Sequence, residues 1–289
     1  MNIVVCVKQL VETEYLTEIA GETVIDDPDL PRVVNMCDLV AVEEALQLRE
    51  NDKAHEVIVV SMGPHSAAEE LYRCLAMGVD QALLLCDPAF DGSDSHATAV
   101  VLACAIRSLE YGLIFCGNKA SDTQAGQVGY CLAEMLDIPI ISAAIRVEVP
   151  SDEKVIVHRK LRGGYREVLE APLPTVVAVE TGLNEPRYVS IRAISRAKKA
   201  GIKQYDMKSL GLSPEDVGPK GSITKVVSLS RPRPKRIFVP DSRLSAVARL
   251  MQVESGGLEE KEGAIISGSP QEAASRLVRS LISQRILRI

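Results

Sequence analysis

A chain of 289 residues, 46% hydrophobic and 25% charged, can bury a large core, which excludes disorder along its whole length and allows one main domain with an extension. Aromatic residues make up only 3%, tryptophan is absent and the net charge is −6, so the stacking platforms and basic excess of a nucleic-acid binder are missing. The seven cysteines never form Cys-x-x-Cys and no apolar run approaches the roughly 18 residues of a membrane span, which excludes a disulfide framework and a transmembrane helix and leaves a soluble, cytoplasmic protein as the expectation.

The opening MNIVVCVKQ is too short an apolar run for a signal-peptide core. Apolar, β-branched runs then recur: IVVCV (3–7), VIVVS (57–61), ALLLC (82–86), LIFC (113–116), PIIS (139–142) and TVVAVE (175–180). Runs apolar on both faces suit central parallel strands. Helical spacing fills the intervals in DLVAVEEALQLRE (38–50), SAAEELYRCLAMG (66–78), ATAVVLACAIRSL (97–109) and GQVGYCLAEML (126–136). Alternation of this kind predicts an α/β fold with a doubly wound, mostly parallel sheet. Between 144 and 170, IRVEV and KVIVHRKL lead to Arg162-Gly163-Gly164-Tyr165, a turn that predicts an antiparallel hairpin.

Beyond residue 181 prolines and glycines punctuate the chain, and an extended segment is expected there. Helical patterning resumes at SAVARLMQV (245–253) and QEAASRLVRSLISQRIL (271–287), with Ser269-Pro270 as a start signal. The expected division is a main domain over 1–235 and a C-terminal arm over 236–289. The arm either docks on a partner subunit or packs on its own sheet.

In an open α/β sheet, ligands settle outside the carboxyl ends of the strands, where loops lead into helix starts rich in free N–H groups. Residues 117–128 fall at such an edge. Gly117 allows a tight exit from the strand, and Gly126 and Gly129 allow close backbone approach. Ser121, Asp122, Thr123, Gln124 and Gln127 supply donors and acceptors. Either the loop holds a phosphate, or Asp122 or Thr123 caps the next helix while the glycines turn the chain. Neither G-x-G-x-x-G nor G-x-x-x-x-G-K-[ST] occurs, so any nucleotide is held another way. Ser61-Met62-Gly63-Pro64 forms a second candidate edge. His55, His65, His96 and His158 have no partners at ligand spacing, which gives no metal centre and no Ser-His-Asp arrangement. The pairs Glu43-Glu44 and Glu69-Glu70 occupy adjacent helix positions and read as solvated faces.

Together these stretches resemble the β subunit of electron transfer flavoprotein. The resemblance is carried by Cys6-Val7-Lys8, Asn35 with AVEEAL (41–46), SMGP (61–64), LAMGVD (75–80), the loop 117–129, LNEPRY (183–188) with RAKKAGI (196–202), and KGS (220–222). LNEPRY followed by the basic RAKK is the most telling, because neither packing nor turn chemistry calls for that combination. The resemblance implies an adenine nucleotide α-hydrolase-like fold and a heterodimer with an α subunit carrying the redox FAD, on which the arm docks. It implies AMP in this subunit, as in ordinary members, or a second FAD, as in bifurcating ones. The implied contact positions are Cys6, Asn35, Met36, Cys37, Asp38, Met62, Gly117, Asn118, Lys119, Ala120, Ser121, Asp122, Thr123, Gln124, Ala125, Gly126, Gln127 and Val128.

Bifurcating members read D-G-D-T-A-Q-V-G where this chain has Asp122, Thr123, Gln124, Ala125, Gly126, Gln127, Val128 and Gly129, which leaves the choice between AMP and FAD open. Residues 183–199 resemble the recognition loop that docks acyl-CoA dehydrogenases. Ile191 stands at its apolar anchor, and Leu183, Arg187, Arg196 and Lys199 are its further docking positions. The bland alternative is a lysine-rich turn with Ile191 tucked into the subunit. The role implied is an electron carrier without bond chemistry of its own; the alternatives are a bifurcating-type subunit using NADH and a nucleotide-consuming enzyme of related fold.

Overall fold

The computed structural model describes residues 1–12, 30–51, 56–226, 240, 242–254, 266 and 268–283. The expected domain boundary at 235, His55, Pro232, Pro234 and the end of the last predicted helix lie outside these residues. By its internal contacts the chain falls into two units, Met1–Leu229 and Ser230–Ile289.

The first unit begins with β1 (Ile3–Cys6), a short ribbon of β2 (Gln9–Val11) and β3 (Arg32–Val34), and α1 (Met36–Asn51). Next come β4 (Val57–Met62), α2 (Ala68–Met77), β5 (Gln81–Leu85), α3 (Ser95–Arg107), β6 (Leu113–Gly117) and α4 (Val128–Leu136). A meander of β7 (Ile140–Ser151), β8 (Lys154–Lys160) and β9 (Arg166–Pro172) follows, then β10 (Thr175–Val179), α5 (Ile191–Ala200), β11 (Lys203–Tyr205) and the single turn α6 (Gly218–Gly221). The nine-stranded sheet has the order β11-β5-β4-β1-β6-β10-β7-β8-β9. It is parallel from β11 to β7 and antiparallel from β7 to β9.

The doubly apolar strands explain the layering. Along β1, Ile3 and Val5 face the side carrying α1 and α2, while Val4 and Cys6 face the side carrying α3 and α4. β4, β6 and β10 alternate in the same way, so helices must cover both faces. The sequence separated PIIS from the hairpin, but β7 runs through both. Ala143 adopts φ 55° where the register shifts, and past that bulge the strand exchanges its parallel partner β10 for its antiparallel partner β8.

From β1 the chain steps outward to β4 and β5, then returns to the other side of β1 for β6. The order reverses between β1 and β6, which is where a doubly wound sheet opens a crevice at its carboxyl edge. Two expectations need correction. The extended segment after residue 181 contains α5, seated against α2, and an edge strand, β11. Glu43 and Glu44 are not solvated: they are 4% and 8% exposed, as is Glu70 at 8%.

In the second unit, α7 (Ala246–Glu254) and α8 (Pro270–Ser283) are described. Ser269 caps α8 as its sequence implies: the Glu272 amide donates to Ser269 Oγ, and Glu272 Oε2 accepts the Ser269 amide at 3.1 Å. No helix among the described residues is long and apolar enough to cross a membrane.

Candidate functional site

The crevice between β1 and β6 is closed by one buried acid. Asp38, in the first turn of α1, accepts the Lys8 amide at Oδ2 (2.8 Å) and the Gly117 amide at Oδ1 (2.9 Å), so it joins the exits of two neighbouring strands. Asn35 completes the joint. Its Nδ2 donates to Asp38 Oδ1 and to the Lys119 carbonyl, each at 3.1 Å, and its Oδ1 accepts the Ser121 amide. Burial pushes the Asp38 carboxyl up to about 7, against the pull of Asn35 and the Lys8 and Gly117 amides. Asn35 and Asp38, both expected at the nucleotide, thus direct their side chains into the base of the loop.

Gly117 has no room for a side chain: an added Cβ would fall on Asp38 Oδ1, 2.9 Å from Cys37 Cβ and 3.0 Å from Asn35 Nδ2. The loop that follows is tied down at intervals. The Asn118 amide donates to Val179, and its side-chain nitrogen donates to Glu180 Oε2 (2.8 Å). The Gln124 amide turns back onto Ala120, with Gln124 at φ 52° and Gly126 at φ 59°. Lys8 Nζ reaches Asp122 Oδ2 at 2.6 Å across the mouth. Burial works against the ionised Asp122, but Lys8 and the Thr123 amide outweigh it and hold the carboxyl below its ordinary range.

The bland reading of the loop fails on one point. α4 begins at Val128 with Gln127 in the cap position, and no side chain caps it; Asp122 and Thr123 bond elsewhere. The first N–H groups of α4 therefore face the loop without a capping side chain, where the helix dipole favours an anion. Gln124 and Gln127 are exposed and form no side-chain hydrogen bond among the described residues. Gly129 sets the helix close to the sheet, since an added Cβ would lie 2.7 Å from Cys116 Sγ. Uncapped amides, exposed amide side chains and a glycine-lined base fit a phosphate-bearing ligand.

The remaining expected contacts surround this loop. The Cys6 and Cys116 thiols lie buried on the α3/α4 side of the sheet, and burial followed by the Asp38 charge raises the Cys6 thiol to about 12. Cys37 is buried, Met36 is 57% exposed, and Met62 ends β4 half-buried. Lys119, Ser121, Thr123 and Ala125 are exposed, and Ala120 and Val128 half-buried. At the second candidate edge the Gly63 amide is taken by the Leu85 carbonyl.

The docking positions divide into two groups. Ile191 opens α5 and is 82% exposed, and Tyr188 is 91% exposed, so the anchor is not tucked in. Arg196 and Lys199 are exposed and Leu183 half-buried against the α1 side of the core. Arg187, expected as a docking charge, turns inward instead: Nε and Nη2 hold Glu43 at 2.8 and 3.0 Å, and Nη1 holds Glu50 at 2.7 Å. Asn184 Nδ2 donates to Glu44 Oε2 and the Val40 carbonyl. Packing therefore does call for Asn-x-x-Arg in LNEPRY. The sequence reading has Lys8 only within the resemblance, Glu43 and Glu44 as a solvated face and Glu180 in no role, because their partners lie 62 to 144 residues away.

A family model described as the electron transfer flavoprotein domain matches residues 22–210. The chain is 37% identical over 289 residues to the electron transfer flavoprotein subunit beta of Thermoanaerobacterium thermosaccharolyticum, covering 99% of this chain and 100% of that protein. It is 38% identical to the caffeyl-CoA reductase-Etf complex subunit CarD of Acetobacterium woodii, over 78% of this chain and 86% of CarD. It is 35% identical to protein FixA of Azotobacter vinelandii, over 81% of this chain and 85% of FixA. With the doubly wound sheet and its carboxyl-edge loop, these matches place the chain in the electron transfer flavoprotein family, as a β-type subunit serving in electron transfer.

Proposed function

We propose that this subunit binds an adenine nucleotide, AMP or FAD, with the loop 117–128, pairs with an α subunit that carries the redox FAD, and docks an acyl-CoA dehydrogenase-type flavoenzyme through residues 183–199. The observation that carries the nucleotide reading is the uncapped start of α4 above the loop braced by Asn35 and Asp38. N–H groups at Val128 and Gly129 would meet a phosphate, and Thr123, Gln124 and Gln127 lie within the same loop. Cys6 and Met62 would contribute from neighbouring strand ends.

The exposed pair Tyr188 and Ile191 supports the docking role: an apolar plug supplies contact energy, and the exposed Arg192, Arg196 and Lys199 steer encounter. CarD belongs by name to a complex with a CoA-thioester reductase, which is the partner chemistry proposed here. On α7, Val247, Leu250 and Met251 share one face at helical spacing and are 65 to 73% exposed, which suits an arm covered by the α subunit.

Mass spectrometry of the nucleotide released from the co-purified heterodimer tests the reading. AMP in equal amount to β chains identifies an ordinary carrier and a second FAD identifies a bifurcating type. Heterodimer releasing only the α-subunit FAD would contradict nucleotide binding by this subunit.

A further inference from the structure

We propose that Asn184 and Arg187 are positioning residues, which clasp the docking segment onto α1 and so present Tyr188 and Ile191 in a fixed register to the electron-transfer partner. The inference rests on the docking role proposed above. Arg187 is held by its backbone as well as its side chain: its amide donates to Glu43 Oε2 at 3.1 Å, alongside the guanidinium contacts to Glu43 and Glu50. Three residues earlier Asn184 spans Glu44 and the Val40 carbonyl. Two adjacent buried acids on α1 thus each receive one residue of the segment. A guanidinium fork fits one acid and an amide the other, so the pairing accepts only this spacing.

The clasp lies at one end of a short span, and the other end is also fixed. Val189 is half-buried against the α1 side of the core, Ser190 caps α5, and α5 is seated on α2 by the buried Ala197 and by Lys198 bound to Glu69 at 2.7 Å. Tyr188 and Ile191 are the large apolar side chains exposed between these two anchors. A segment ordered before docking loses less freedom when it docks, so the clasp improves association without touching the partner. Arg187 accordingly acts through its neighbours and contributes no steering charge.

The test uses the αβ heterodimer with an acyl-CoA dehydrogenase, following electron transfer as the dehydrogenase concentration is varied, and limited trypsin digestion at Arg192 to Lys199. For Arg187→Ala the half-saturating dehydrogenase concentration rises about tenfold with the saturated rate unchanged, and cleavage in the segment accelerates by a similar factor. Arg187→Lys, which keeps the charge but not the fork, gives an intermediate effect in both readouts. Should Arg187→Ala fail to fold, Glu50→Gln removes one arm of the clasp without uncovering Glu43, and a smaller shift in the same direction is expected.

Ile191→Ala separates the two levels. If it raises the half-saturating concentration while the clasp variants leave both readouts at wild-type values, the clasp is overturned and the docking role stands. If it has no effect, the docking role fails. In that case unchanged trypsin cleavage in Arg187→Lys and Glu50→Gln would still refute the clasp.

Discussion

Asp38 Oδ1 lies 2.9 Å from the amide nitrogen of Gly117, so a carboxyl group on the first turn of α1 secures the strand exit from which the candidate nucleotide loop departs. The space is shared so closely that Gly117→Ala would put a methyl group on that oxygen. An overpacked site of this kind costs about 2 kcal/mol. The variant is expected to lower the denaturation midpoint of the heterodimer and to lose the nucleotide of this subunit, read as nucleotide per β chain.

The two acids of the site differ in weight. Asp38→Asn turns a nitrogen with its own hydrogens toward the Lys8, Gly117 or Asn35 donors, and a buried donor left unmatched costs about 1 to 3 kcal/mol. Asp122→Asn removes an ion pair whose side chains are 43% and 32% exposed, worth about 0 to 1 kcal/mol. Chemical denaturation of both variants should show a large loss for Asp38→Asn and almost none for Asp122→Asn, in which any effect falls on nucleotide affinity.

Asp94 makes stability depend on acid pH. Burial raises its pKa, but the Ala97 amide, the hydroxyl and amide of Thr224 and the His96 amide outweigh it and hold the carboxyl at about 2 against an ordinary 3.8. A depressed acid stabilises the fold fully above its unfolded pKa, and that contribution is lost as pH falls from about 4 toward 2. Asp94→Ala should lose about 1 kcal/mol at pH 7 through the cap of α3 and flatten the acid limb of the stability profile between those values.

The apolar face of α7 gives a prediction for assembly. Leu250 is 73% exposed, so Leu250→Glu leaves the chain's own core untouched. It should weaken association with the α subunit at least tenfold, as expected when a charge is placed at a buried apolar contact. Sedimentation of the heterodimer at decreasing concentration checks this.

Much of the fold was legible because parallel strands buried on both faces need uninterrupted apolar runs, and IVVC, VIVVSM and TVVAV supply them. The loop 117–128 was legible for the opposite reason, a small polar interval between a strand and a helix. What escaped was short or long-range. β11 has three residues and, among the described residues, pairs only with β5. α5 carries Arg192, Arg196, Lys198 and Lys199, its apolar anchor Ile191 points to solvent, and its inward stripe is only Ala193, Ile194 and Ala197, too short and too small-sided to stand out in the sequence. Glu43 and Glu44 look like any acidic surface of a helix until Arg187 and Asn184 arrive from 144 and 140 residues along the chain. Asn35 and Asp38 were legible as site residues through the resemblance alone, and their bracing of Gly117, Lys119 and Ser121 emerged only in three dimensions.

A crystal structure of the heterodimer as purified, without added nucleotide, examines the loop most directly. Density for a purine ribotide is expected, with a phosphate oxygen within hydrogen-bonding distance of the Val128 or Gly129 amide and with Asn35 and Asp38 still bound to the loop. A loop closed over the start of α4 with the Gln127 side chain filling that place, and no nucleotide density, would contradict the binding proposed here.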